Sequence, residues 1–542
     1  LPPRRAALAG RGLPVRRAPA RKDFVGETLD LPAAERLEGT LAATAVAAWL
    51  GARVVRAPEV AAPRRVGGPG GAGRGGAAAG APGGGAPRGP GRGARRRRGA
   101  GRERLPRARR GGDAPRPRPG LRRPRRDGPG SGPAGPRVTT PRTAALPAAR
   151  ARLLRPATWR WWVQVLVVYA LARAVSAGVL LVAARSQEQN LWTDAAPSYL
   201  AYVGRMWDAS WYEQIYASGY PDTLPVGPDG AVQQNVWAFF PLFPALVRAL
   251  DAGTGLGWEV LAPTVALACG AGAALVVHRL VATAGAAAVE RRPGLPLATV
   301  LLVSVFPSSP VLQVAYTESL ALLLVAGALL LLARRRYAGA ALLVVLLGFC
   351  RAVALPMAAV VLWHGIVRWR RGDLRGPDAA RLGGLLVVAL GSGLVWPWLC
   401  GAVTGVHQAY FRTQEAWRGG AEVVPFVPWV DVSRWLAGDA GPWLLALVLV
   451  VAAALVLNPV AARLGPEMHA WSGAYLAYLV ATVQPGTSLV RFLLLAFPLG
   501  AVTVGWTRSR AWLAAVTVAC VVGQVWWVWS LWRLVPPSGW PP

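Results

Sequence analysis

A series of apolar segments begins near residue 161 and continues almost to the carboxyl end of the chain. A helix that crosses a bilayer needs about 20 consecutive, predominantly apolar residues. Hydrophobic residues make up 54% of the 542 residues, which is too many for a soluble protein of this length. The pattern therefore predicts an all-α protein that crosses a membrane many times.

Eleven membrane spans are predicted from these segments. They lie at 162–182, 258–281, 296–314, 319–332, 337–349, 352–369, 382–400, 443–460, 468–483, 492–506 and 511–532. Residues 237–244 are also apolar, but Pro241 and Pro244 interrupt them. Because proline disfavours a straight helix, we expect this piece to be interfacial or re-entrant and not to cross the membrane.

The first 155 residues differ from the rest in composition. They are rich in Gly, Pro and Arg and hold 35 basic and 9 acidic residues, or 35 − 9 = +26 of the total charge of +34. Such a segment cannot bury enough apolar surface to fold, so 1–155 is predicted to be a disordered tail and 156–542 a membrane domain. The tail is either a cytoplasmic segment attracted to anionic lipid or a spurious extension from a misplaced start codon. Because the charge excess lies there, no nucleic-acid partner is expected for the membrane domain.

The charges of the loops predict the orientation. Residues 183–235 hold six acids and two arginines, a net charge of 2 − 6 = −4. With the tail inside the cell, this loop is outside, and the arginine-rich turns near 291, 335, 370, 463 and 509 all fall inside. This agrees with the positive-inside rule. We therefore expect a multi-pass plasma-membrane protein with a cytoplasmic amino terminus and large first and fourth outer loops.

Polar residues converge on the outer face in this topology. Ionisable side chains near membrane depth are costly, so they are functional candidates. The set comprises Asp208, Glu213, Tyr316, Glu318, Arg351, His407, Gln414, Glu415, Arg418, Gln484 and Arg491. Carboxylates beside arginines suit an anionic lipid headgroup together with a proton acceptor.

Each charged candidate also has a structural alternative. Asp208 opens a spacing typical of a short amphipathic helix and could be its N-cap. Glu213 could be a solvated loop charge, and Glu318 could stabilise the dipole of the helix that follows it. Arg351 and Arg491 could be snorkelling arginines, although outer arginines are unusual for this chain.

Several functional classes lack their motifs. The chain has no Walker loop, no HExxH and no GxSxG in a suitable context, so a nucleotide-driven pump is not expected. The four cysteines fall within apolar runs without metal or disulfide spacing. No ordered segment outside the membrane is long enough for a soluble sugar-nucleotide enzyme.

The loop after the first predicted span contains Trp207-Asp208-x-x-Trp211-Tyr212-x-x-Ile215, followed by Gly219-Tyr220-Pro221. This stretch resembles the signature loop of PIG-V-type mannosyltransferases. These are GPI mannosyltransferase II-like enzymes with bacterial relatives. Residues 239–244, 315–319, 413–418 and 491–498 are also similar to that family. The resemblance covers roughly residues 160–535. One departure is Cys350 before Arg351, where relatives often have a threonine.

This resemblance implies a GT-C-type bundle and a polyprenyl-phosphate mannose donor. It implies an inverting transfer to an acceptor hydroxyl of a lipid, glycan or protein, with an acid of the first outer loop, here Asp208, as the general base. Glu213 is the second catalytic candidate, and Arg351 and Arg491 are expected to bind the donor phosphate. The residues expected to bind substrate are Trp207, Trp211, Tyr212, Tyr316, Glu318, Gln414 and Glu415. No metal and no cofactor other than the lipid-linked co-substrate is expected.

Three alternatives stay open at this point. The chain could be a transporter or lipid flippase, although transporters tend to carry charges near the bilayer midplane. It could be a GT-C enzyme for another sugar, such as arabinose. It could also be a scaffold whose arginine-rich tail binds partners.

Overall fold

A computed structural model describes residues 159–228, 230–419 and 424–534, together with the backbone of two short strands. The chain divides into two units, Leu1–Pro133 and Ala134–Pro542. In the first unit, β1 (Arg16–Arg17) pairs in parallel with β2 (Val54–Val55). The rest of the predicted tail, 1–155, lies outside the described residues.

The described part of the second unit is mainly helical. Its helices are α1 Trp161–Arg185, α2 Tyr199–Arg205, α3 Asp208–Ser218, α4 Leu242–Thr254, α5 Trp258–Ala284, α6 Ala286–Arg291, α7 Leu295–Val305, α8 Glu318–Ala333, α9 Tyr337–Gly348, α10 Ala354–Arg370, α11 Gly376–Thr404, α12 Ala409–Ala416, α13 Val427–Ala437, α14 Gly441–Leu457, α15 Pro459–Arg463, α16 Pro466–Thr482, α17 Leu489–Phe492, α18 Pro498–Gly505 and α19 Arg510–Trp527. Short 3₁₀ segments lie at Val236–Ala238, Ser309–Gln313, Gly438–Ala440 and Leu493–Ala496.

Five helical stretches in the described residues are long and apolar enough to cross a membrane. They are Trp161–Arg185, Trp258–Ala284, Gly376–Thr404, Val427–Arg463 and Arg510–Trp532. The chain is therefore an α-helical membrane protein. Each of the eleven predicted spans contains helix, whereas the number of crossings stays a prediction.

Helix α8 lies at the centre of the bundle. Thirteen of its 16 residues are buried, and it packs against α5 and α9. Helix α14, in contrast, buries only Gly441. Because a helix that is apolar all round must face either protein or lipid, α8 is a core helix and α14 faces lipid.

The prediction of one continuous helix over 296–314 was wrong. Helix α7 ends at Val305, and the chain continues through a 3₁₀ segment at Ser309–Gln313. Pro307 and Pro310 lie in this stretch, and proline cannot donate the hydrogen bond that would continue the helix. The predicted span 492–506 is likewise divided, since α18 begins at Pro498.

Arg173 satisfies the carbonyl groups freed by the break after α7. It lies midway along α1 and is 5% exposed. It donates hydrogen bonds to the backbone oxygens of Ser304 and Ser309, each at 2.5 Å, and to the Ser309 hydroxyl at 3.1 Å. A free carbonyl at membrane depth is costly. The buried arginine therefore stabilises the irregular segment that leads into α8.

The two ends of the bundle carry different side chains. Helix α8 rises about 24 Å from Glu318 to Ala333, and Arg334 follows its far end. Helix α9 begins after Arg336, and Arg351 follows its other end. The predicted outer residues Glu318 and Arg351 thus lie at one end of these helices, and the arginine-rich turn lies at the other.

Candidate active site

Asp208 is the first residue of α3, which confirms the short helix predicted from the spacing that follows it. Its backbone N–H donates a hydrogen bond to the Tyr316 hydroxyl at 3.0 Å. The first N–H groups of a helix lack partners within the helix, so Tyr316 satisfies one of them. This contact joins the start of α3 to the segment that precedes α8.

Trp207 fixes the direction in which α3 begins. Its backbone has φ 58° and ψ −127°, a conformation that is strained for a residue with a bulky side chain. The indole N–H donates to the carbonyl oxygen of Trp532 at 2.7 Å, and the ring packs against Trp192. Contacts with Trp532 and Trp192 therefore hold the strained Trp207, which directly precedes the candidate base Asp208.

Arg491 connects two carboxylates. Its NH1 lies 2.6 Å from Oδ2 of Asp208, and its Nε lies 3.3 Å from Oε1 of Glu318. The guanidinium lies 4.9 Å from the centre of the Tyr316 ring and 5.4 Å from that of Phe492. Its side chain is only 7% exposed, and its NH2 also donates to the Ser488 hydroxyl at 3.5 Å.

Glu318 is the most deeply buried member of the group, with its side chain 1% exposed. Its Oε1 lies 2.8 Å from NH1 of Arg351 and 3.3 Å from Nε of Arg491. Neither carboxylate oxygen accepts a hydrogen bond from any described residue, because the guanidinium N–H groups are not aligned on it. The two contacts are therefore ion pairs by distance and charge, and the carboxylate keeps unused acceptor capacity.

Arg351 is the last residue in this series of ion pairs, at the end opposite to Asp208. It donates to the Thr317 hydroxyl at 3.2 Å, and its guanidinium lies 4.8 Å from the centre of the Phe492 ring. Its side chain is 15% exposed and that of Asp208 is 21% exposed. The charge network, which we define as Asp208, Arg491, Glu318 and Arg351, thus alternates in sign and is accessible at its two ends.

The network is neutral, since two arginines balance two acids. Burying ion pairs costs desolvation energy that apolar side chains would avoid. Ionisable residues retained inside a membrane protein therefore point to function. Burial also raises the pKa of the Tyr316 phenol well above its ordinary value, so this ring stays neutral beside the network at physiological pH.

Aromatic rings cover the other side of α3. The Trp211 ring stacks on Phe239 at 5.9 Å, and the edge of Trp417 meets Trp211 at 5.1 Å. Tyr212 packs edge-on against Phe239 and Phe243. Residues 237–244 form the end of a 3₁₀ turn at Val236–Ala238 and the first residues of the 13-residue helix α4, and their place outside the membrane stays a prediction.

Helix α12 and the residue that follows it contact the segment between α3 and α4 through Asn235. The Asn235 amide donates to the Thr413 hydroxyl at 3.2 Å, and the Trp417 indole donates to the Asn235 carbonyl at 3.3 Å. Gln414 and Glu415 lie half-buried on α12, between these two anchoring residues. The structure thus brings α12 to the aromatic side of α3, while Asp208 pairs on the other side.

Glu213 does not join the charge network. It lies 3.2 Å from Nε of Arg205, which also contacts Glu259 at 2.9 Å. Glu213 lies five positions after Asp208, so the two acids point about 140° apart around α3. Glu213 therefore belongs to a half-exposed ion-pair cluster.

Three other residues that were predicted to lie on the outer face are also apart from the network. His407 is exposed. Arg418 donates to the carbonyl oxygen of Thr482 at 3.2 Å. Arg418 and Gln484 line a cavity of about 280 Å³ beside α13.

Sequence reasoning missed Asn235, Trp532 and Phe492. Asn235 is a neutral amide in a loop, which no spacing distinguishes, and Trp532 contributes a backbone oxygen to Trp207. Phe492 was predicted only as part of a motif, whereas its ring contacts both arginines of the network. Within the described ranges, no three His, Cys, Asp or Glu side chains are grouped as a metal ion would require.

No protein-family model matches the chain. Among curated proteins, it is similar to "Inactive dihydropteroate synthase 2" of Mycobacterium bovis and of Mycobacterium tuberculosis, each 61% identical over 61 residues. The protein of that name from Mycobacterium leprae is 58% identical over 59 residues. These matches cover 11% of this chain, which spans about a fifth of the length of the curated relatives. Similarity this short assigns no family to the membrane domain.

Proposed function

We propose that this chain is a membrane glycosyltransferase that moves a mannosyl residue from a polyprenyl-phosphate donor to an acceptor hydroxyl. The charge network carries the proposal, because it offers a carboxylate at one accessible end and a guanidinium at the other. A proton acceptor beside an anion-binding group is what transfer from a lipid phosphate requires.

Asp208 is the general base in this mechanism. Its carboxylate takes the proton of the acceptor hydroxyl, whose oxygen then forms a bond to the anomeric carbon of the sugar. The bond from that carbon to the phosphate oxygen breaks, and the electron pair leaves with the lipid phosphate. Arg491 contacts one carboxylate oxygen of Asp208 at 2.6 Å and thereby holds the second oxygen in a defined orientation.

The two arginines divide their roles. Arg491 already contacts Asp208 and Glu318 and is almost fully buried, so it orients the base. Arg351 is the more exposed of the two and donates to the leaving phosphate, because its guanidinium can present paired N–H groups to phosphate oxygens. Glu318 holds Arg351 in place by the 2.8 Å ion pair.

We place the site on the extracytoplasmic side of the plasma membrane. The arginine-rich turn before α9 lies at the opposite end of the bundle from Glu318 and Arg351, and positive turns favour the cytoplasm. The same separation favours an enzyme over a transporter, since the paired charges lie at helix ends. Mannose as the sugar rests on the resemblance to PIG-V-type enzymes.

The test is transfer from labelled polyprenyl-phosphate mannose in membranes that contain the full chain. We expect a mannosylated lipid, glycan or protein with the wild type and a rate about 10² to 10⁴ times lower with Asp208→Asn. Asp222→Asn is the matched control, because Asp222 is an exposed acid of the same outer loop. Wild-type transfer by Asp208→Asn would refute the role of Asp208.

A further inference from the structure

Three arginines line a cavity at the end of the bundle away from the charge network. The cavity has a volume of about 430 Å³. Arg335 and Arg336 reach it from the turn between α8 and α9, and Arg381 reaches it from α11. Ala341 and Leu385 contribute apolar surface. The cavity thus combines cationic groups with an apolar wall.

The surroundings of this cavity are strongly positive. Residues 334–336 and 368–381 contain eight arginines and two aspartates, so the net charge is 8 − 2 = +6. Asp373 pairs with Arg335, and Asp378 lies 3.3 Å from Arg381. Arg336 has no carboxylate within 4 Å among the described residues. Positive charge therefore remains at the cavity after the internal pairs are counted.

Helices α9 and α11, which border the cavity, carry exposed apolar side chains on their outer surfaces. Leu342 on α9 is 60% exposed and Val387 on α11 is 69% exposed. Leu342 lies six residues after Arg336, which precedes α9, and Val387 lies six residues after Arg381 on α11. Helix α9 packs directly against α11. In a membrane protein such surfaces contact acyl chains. The cationic cavity therefore opens next to a lipid-facing surface.

We propose that this cavity binds the phosphate headgroup of an anionic phospholipid whose acyl chains lie along α9 and α11. Guanidinium groups bind phosphate through paired hydrogen bonds. Basic pockets between membrane helices are suited to such headgroups. The exposed apolar faces favour a lipid over free phosphate. This site is independent of the proposed glycosyl transfer, because it lies at the opposite end of α8 and α9 from Glu318 and Arg351.

The first experiment removes charge. The full chain is purified in a neutral detergent, and the phosphatidylglycerol concentration that gives half-maximal thermal stabilisation is measured in mixed micelles. We take about fivefold in affinity for each arginine that contacts the headgroup in the cavity, so Arg336→Gln combined with Arg381→Gln should weaken binding about 25-fold. The control pair is Arg370→Gln with Arg371→Gln, since both are exposed at the same end but do not line the cavity. It should weaken binding less than threefold.

The second experiment fills the cavity without changing charge. A Cβ atom added to Gly383 or to Gly384 meets no other atom within 4 Å, so both positions accept a side chain. Only Gly384 lines the cavity. Gly384→Leu should reduce the affinity at least fivefold, and Gly383→Leu should leave it unchanged. Equal losses in both glycine variants, or in both arginine pairs, would overturn the proposal. Equal stabilisation by inorganic phosphate or by phosphatidylcholine would overturn it as well.

Discussion

Arg491 donates a 2.6 Å hydrogen bond to the carboxylate of Asp208, although 283 residues separate the two in the chain. The same guanidinium approaches Glu318 through a different nitrogen, Nε, at 3.3 Å. One side chain therefore connects the beginnings of two helices, α3 and α8, and fixes where their carboxylates lie. The charge network depends on this bridge.

We expect Arg491→Lys to reduce the rate of mannose transfer about 100-fold, because a single ammonium cannot reach two carboxylates from two nitrogens and the base is then misplaced. The measurement is the initial rate with labelled donor in membranes. Arg418→Lys is the control, since Arg418 contacts a backbone oxygen away from the network. The double variant Asp208→Asn with Arg491→Lys should be no slower than Asp208→Asn alone. If the rate losses of the two single variants multiplied in the double variant, Asp208 and Arg491 would act independently, and this would contradict a shared role.

Glu318 should be important for stability as well as for positioning. Glu318→Gln leaves Arg351 and Arg491 with one carboxylate between them in a buried environment, and breaking a buried ion pair costs about 3–5 kcal/mol. Glu213→Gln is the matched control. Its pair with Arg205 is half-exposed, so the loss should stay below about 1 kcal/mol. Equal free energies of unfolding for the two variants, measured in detergent, would speak against a buried network.

All four members of the charge network could be selected from the sequence, because Asp208, Glu318, Arg351 and Arg491 are ionisable residues next to apolar segments. Their pairing could not, since it joins residues up to 283 positions apart. Glu213 was selected as a second acid of the same loop, but the turn of α3 directs it to Arg205 instead. Local spacing thus finds candidates, and tertiary contacts decide which of them meet.

The irregular segment after α7 shows a second limit. A largely apolar run from 296 to 314 indicates one span, although Pro307, Ser308, Ser309 and Pro310 interrupt it. The break is stable because Arg173, 131 residues earlier, donates to the carbonyl oxygen of Ser304. Hydropathy alone cannot reveal a polar partner supplied by another helix. The predicted boundaries were most accurate for α8 and α9, where each end lies within one residue of the predicted span.

Gly348 should be required for the packing of α9 against α11. A Cβ atom at this position would lie 2.5 Å from the backbone oxygen of Ser392, and backbone atoms cannot move aside cheaply. Gly348→Ala should therefore destabilise the protein by about 1–3 kcal/mol. Gly391→Ala on α11 is the control, because its Cβ meets no atom within 4 Å and alanine favours helix by up to about 1 kcal/mol. Thermal unfolding in detergent measures both, and a stable Gly348→Ala would contradict the close contact.

Arg173 should prove necessary for the break after α7. Arg173→Met keeps the length of the side chain but removes the donors to Ser304 and Ser309. A hydrogen bond to a charged group contributes about 1.5–3 kcal/mol, so the variant should lose at least about 3 kcal/mol of stability. Arg173→Lys keeps the charge and should recover part of this loss.

The control for Arg173 is Arg185→Met at the end of the same helix, where the arginine is exposed. It should change the free energy of unfolding by less than about 0.5 kcal/mol. The segment stabilised by Arg173 leads directly to Tyr316 and Glu318, so transfer by any folded Arg173→Met protein should be slower as well. Unchanged stability in Arg173→Met would mean that the freed carbonyl groups find other donors, and the arginine would then have no part in holding the segment.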